Sequence, residues 1–136
     1  MTAVDDEQIA LALVQRNRVR RIRLCMPAPR LRRLLMVMDG EYKILEYLIM
    51  DTLKDHYDDL MLPEALQVPH LHHLMLIGFA LPMGSQLLMN TLDLVTLCLH
   101  MQFPSRFLPT VLLQWLSSTP QLESLVIGYS GPGHFF

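Results

Sequence analysis

The sequence predicts an α/β chain built as a solenoid, with short parallel strands side by side and connecting segments that run back across the far face. Three observations lead there. Five hexamers repeat one apolar order, their spacing is nearly even, and two of the intervening segments carry apolar residues at helical periodicity.

The hexamers read L-x-x-L-x-L: "VRRIRL" at Val19, Ile22 and Leu24; "LEYLIM" at Leu45, Leu48 and Met50; "LHHLML" at Leu71, Leu74 and Leu76; "LVTLCL" at Leu94, Leu97 and Leu99; "LESLVI" at Leu122, Leu125 and Ile127. Their first positions, 19, 45, 71, 94 and 122, are separated by 26, 26, 23 and 28 residues. Leucine-rich repeats recur every 20 to 29 residues or so. The expectation is an irregular leucine-rich-repeat solenoid over residues 19–130, with about five short parallel strands on its concave face and helices or irregular crossovers on its convex face. Strands are expected near 19–25, 45–51, 71–77, 94–100 and 122–128. Alternation along each strand turns the leucines inward and their neighbours outward.

The connections differ in kind. Residues 1–18 include "DDEQIALALVQRN", which opens on an Asp cap and forms a helix that caps the array. After the first strand, Leu31, Leu34, Leu35 and Met38 fall at i, i+3, i+4 and i+7, with Gly40 as the stop. The second connection is acidic and punctuated by proline, and reads as mostly irregular. The third, around "MGSQLLMN", has room for one helical turn. The fourth places Leu108, Val111, Leu112, Trp115 and Leu116 on one helical face, with Pro109 near its start and Pro120 beyond its end. Residues 131–136 read as a disordered tail. No polar cap is evident after the fifth hexamer, which implies a fragment of a longer array.

Composition narrows the function classes. Among 136 residues, 51% are hydrophobic and 18% charged, so a packed core is expected rather than disorder. The net charge of -2 exerts no global pull toward nucleic acid or anionic membrane. Between Glu64 and Asp93 there is no Asp, Glu, Lys or Arg, yet His70, His72, His73, Pro69, Pro82, Gly78 and Asn90 interrupt the stretch and argue against a membrane span. Cys25 and Cys98 make no disulfide framework, and three strand spacings, about 14 Å, would separate them. With no basic region and apolar core near Met1, a cytoplasmic or nuclear location is expected.

The strings "LVQRNRVRRIRLCMPAP", "EYKILEYLIM", "LPEALQVPHLHHLMLIGFALPMGS", "LVTLCLHMQ" and "LLQWLSSTPQLESLVIGYS" resemble the repeat region of fungal F-box proteins with leucine-rich repeats, over roughly residues 6 to 130. In that family an amino-terminal F-box docks onto a cullin-type ubiquitin ligase while the repeats capture a protein substrate. The resemblance therefore implies substrate recognition. The F-box itself is absent from this chain: "LPEA" at Leu62 to Ala65 sits between two expected strands and lacks the helical segments of an F-box.

The register defines the candidate partner-binding residues on the concave face: Arg21, Arg23, Tyr47, Ile49, His73, Met75, Thr96, Cys98 and His100. The middle outward column, Arg23, Ile49, Met75, Cys98 and Val126, is largely apolar, as expected of a protein-binding stripe or of a stripe covered by further chain. "PHLHHLML" invites a metal reading, but side chains diverging from a strand do not converge on one ion, and His73, His100 and Cys98 make only a loose set. No phosphate loop, nucleophile elbow or H-E-x-x-H occurs, so neither catalysis nor a cofactor is expected. The alternative is a nucleic-acid or phosphate-binding surface, because eight of the eleven Lys and Arg residues fall between Arg16 and Arg33. No aromatic residues are interleaved there as stacking platforms.

Overall fold

The computed structural model describes residues 5–53, 60–79, 90–102 and 109–130. The expectations for the third connection at 83–89 and the tail at 131–136 lie outside the described residues. Within them the chain is α/β, in the order α1 (Asp6–Leu13), β1 (Arg21–Cys25), α2 (Ala28–Leu35), β2 (Tyr47–Asp51), β3 (His73–Ile77), β4 (Thr96–Gln102), α3 (Pro109–Ser118) and β5 (Ser124–Ser130). All five strands are parallel and lie in one open sheet in sequence order, β1-β2-β3-β4-β5. Ile22, Leu48, Leu74, Leu97 and Leu125 are register partners on successive strands.

Each strand begins two residues after the first apolar position of its hexamer. The reason is a turn that recurs ahead of the strand. The Leu45 N–H donates to the Tyr42 carbonyl at 3.4 Å, Leu71 to Val68 at 3.1 Å and Leu122 to Thr119 at 3.1 Å. Each turn delivers the chain to a carbonyl on the preceding strand's entry, which accepts from two successive N–H groups. The Arg20 carbonyl accepts from Glu46 and Tyr47, that of Glu46 from His72 and His73, that of His72 from Val95 and Thr96, and that of Val95 from Glu123 and Ser124. The leading leucines Leu45, Leu71 and Leu94 thus sit fully buried at the corner, outside the strand ladder.

The core lies on one side of the sheet. Ile22, Leu24, Leu48, Met50, Leu74, Leu76, Leu97 and Leu99 meet Ala28, Leu31, Leu34 and Leu35 of α2 in one buried cluster that also takes in Leu60, Leu66 and Val68. Burying such side chains stabilises the fold by about 1.5–3 kcal/mol each before entropy is counted. α1 is started by Asp5, whose carboxylate accepts from the Gln8 N–H at 2.8 Å. It packs against α2, where Asp6 and Arg30 pair at 2.7 Å. The described part of the second connection contains no helix; Glu41 and Gln67, and Leu60 and Phe79, form isolated parallel bridges.

Two corners are tightly determined. Gly78 has φ +85°, and the Thr52 side chain occupies the space that a Cβ there would need. Leu53, two residues after the end of β2, also has a positive φ, 60°, and its N–H donates to Asp51 Oδ1 at 2.8 Å.

Candidate binding face

Because the leucines point into the core, the alternate residues of each strand are left on the opposite, open face. β1 alternates exposed and buried residues, and β2 and β3 alternate half-buried and buried ones. The pairing register then stacks the outward residues in columns: Arg21, Tyr47, His73, Thr96 and Ser124; Arg23, Ile49, Met75, Cys98 and Val126; Cys25, Asp51, Ile77, His100 and Gly128. All nine sequence-derived candidates lie on this face.

The first column is a ladder of contacts. The Arg21 guanidinium carbon lies 4.6 Å from the centroid of the Tyr47 ring, a cation–π contact worth about 0.5–1 kcal/mol at an exposed site. The Tyr47 ring meets the His73 ring at 5.8 Å and 58°. His73 Nδ1 in turn lies 2.7 Å from Thr96 Oγ1. Each side chain is thereby held by its neighbour on the next strand.

Beside this polar ladder the second column is apolar from β2 to β5, and the two enclose a depression of about 340 Å³. Its walls are Tyr47, Ile49, His73, Met75, Thr96 and Cys98, and Ser124 and Val126 extend it onto β5. Arg21 and Arg23 stand one strand beyond its edge, while His100 packs over Gly128 in the third column.

The histidines of "PHLHHLML" go separate ways. His70 Nδ1 approaches Asp93 Oδ2 at 3.4 Å, His73 joins Thr96, and His72 sits before the strand at 6.5 Å from the His73 ring. Among the described residues no three His, Cys, Asp or Glu side chains come together as a metal site. Cys98 is a free thiol whose pKa is raised by burial. No helix among the described residues is long and apolar enough to cross a membrane.

The arginine cluster of the sequence is divided by the fold. Arg21 and Arg23 join the open face, whereas Arg32 and Arg33 are on α2, which packs on the opposite face of the sheet. Arg30 is tied to Asp6. Arg16 has a structural post that its sequence context concealed: its Nη2 donates to the Val37 carbonyl at 2.9 Å and to Asp39 Oδ1 at 3.1 Å. Its guanidinium lies 5.9 Å from the Tyr42 ring centroid, and it fills the space beside Gly40. Tyr42, fully buried, donates its hydroxyl to the Leu13 carbonyl at 2.7 Å, and burial raises its pKa. The available signal was position: Arg16 precedes Val19 by three residues, as Tyr42 precedes Leu45.

No family model, no curated protein and no solved structure matches the chain.

Proposed function

We propose that the chain is a non-enzymatic protein-interaction module of leucine-rich-repeat type, and that it binds a protein partner across the open face of its sheet. The observation that carries the reading is the pairing, on a face that no described segment covers, of a mutually braced polar ladder with an apolar column around one depression. Aliphatic surface supplies burial on contact, and fixed polar groups beside it supply orientation. The leucine-rich-repeat reading rests on recurrence: hexamers 23 to 28 residues apart, and the turn and double-acceptor corner that precede the strands. The resemblance to the repeat region of fungal F-box proteins makes the partner a ubiquitin-ligase substrate. Docking to a cullin-type ligase then requires an F-box supplied elsewhere, and the setting is cytoplasmic or nuclear.

The test is affinity purification of the tagged chain and of its Ile49→Glu and Met75→Glu variants, each checked for an unchanged unfolding midpoint. A specific partner recovered with the parent chain and lost with both variants supports the reading. A partner retained by both discards it.

A further inference from the structure

Resting on that reading, we infer that the open face recognises an extended peptide segment carrying a carboxylate side chain three to four residues from an apolar one. The positive charge on the face is gathered at β1. Arg21 and Arg23 both project from β1, and among the described residues neither has a carboxylate partner. The one acidic side chain in the three columns, Asp51, already accepts the Leu53 N–H. Arg21 is pre-ordered on the Tyr47 ring, so its fork is presented without a large loss of side-chain freedom. A planar guanidinium pairs best with a carboxylate.

The second anchor is the depression, whose aliphatic wall of Ile49, Met75, Cys98 and Val126 suits a leucine-sized side chain. Its middle, between β3 and β4, is two to three strand spacings from β1, about 10–14 Å. An extended chain covers that distance in three to four residues at about 3.3 Å each. Tyr47 and His73 line the route, with Thr96 at its end, and present hydroxyl and ring nitrogen groups beside the peptide backbone. Nucleic acid fits this face less well, because its centre is aliphatic and its one tyrosine is already stacked under Arg21.

The test is selection from a random octapeptide display library on the full chain, followed by affinity measurement of enriched sequences against the parent, the Arg21→Gln/Arg23→Gln double variant and Met75→Glu. Enrichment of Asp or Glu three to four positions from Leu, Ile, Met or Phe is expected. The double variant should weaken such peptides roughly tenfold or more, and exchange of their acid for its amide should do the same. Enrichment of apolar residues without an acid, lost on Met75→Glu but indifferent to the double variant, overturns this inference while leaving the binding face in place. No enrichment, or displacement of the selected peptides by a single-stranded oligonucleotide at equal concentration, overturns it as well.

Discussion

On the inner side of the central strands, Leu48, Met50, Leu74, Leu76, Leu97 and Leu99 are at most 3% exposed. On the outer side the same strands hold Tyr47, Ile49, His73, Met75, Thr96 and Cys98, all half-buried. The two sides differ because, among the described residues, the connecting segments pack on one side only. Helix α2 and the buried leucines of the second connection seal the inner face, while nothing among the described residues crosses the outer one. The inner face therefore carries stability, and the outer face is at liberty to carry recognition. A second gradient runs along the sheet: Leu125 on β5, the register partner of Leu97, is 38% exposed.

The largest effect is expected where the inner face is most closed. Leu48→Ala should cost about 2–5 kcal/mol, since it removes apolar contacts and leaves a cavity. Leu125→Ala should cost less than half as much, and denaturant midpoints of the two variants check the gradient. Next comes Gly78→Ala, with an expected loss of about 2 kcal/mol, because the new methyl meets Thr52 and φ is positive. Adding Thr52→Ala should restore part of that loss in a double-mutant cycle. Tyr42→Phe should cost about 1–2 kcal/mol by leaving the Leu13 carbonyl without its donor in the core.

The smallest effect belongs to the exposed pair on the helices. The Arg30 guanidinium beside Asp6 lowers the Asp6 pKa from its ordinary 3.8. A carboxyl with a lowered folded-state pKa adds stability above its unfolded value and loses it as pH falls through the folded one. Thermal melts of the parent chain and Asp6→Asn should thus differ slightly near neutral pH and converge below the Asp6 pKa. Screening by solvent keeps the difference small.

The hexamers made the register legible because alternation and spacing leave one side of each strand apolar; Ile22, Leu48, Leu74, Leu97 and Leu125 can be aligned by eye. Strand starts were less legible, since the leading leucines look like strand residues yet serve a corner closed by backbone hydrogen bonds. Arg16 was hidden for a different reason. Its neighbours Arg18, Arg20, Arg21 and Arg23 suggest a basic patch, and only the fold brings Val37, Asp39 and Tyr42 around it. The outward columns could be listed from the sequence, but the contacts from Arg21 to Tyr47, His73 and Thr96 depend on side-chain directions that spacing does not specify.

The division between a structural and a recognising face is tested most directly by one pair of substitutions at adjacent positions, Leu74→Glu and Met75→Glu, followed by chemical denaturation. Leu74, 2% exposed, should not accept a carboxylate without unfolding, whereas Met75→Glu should shift the midpoint by less than about 1 kcal/mol in equivalent stability. Comparable destabilisation by both would show that the outer face is also packed against protein, and would contradict its proposed role as a free binding surface.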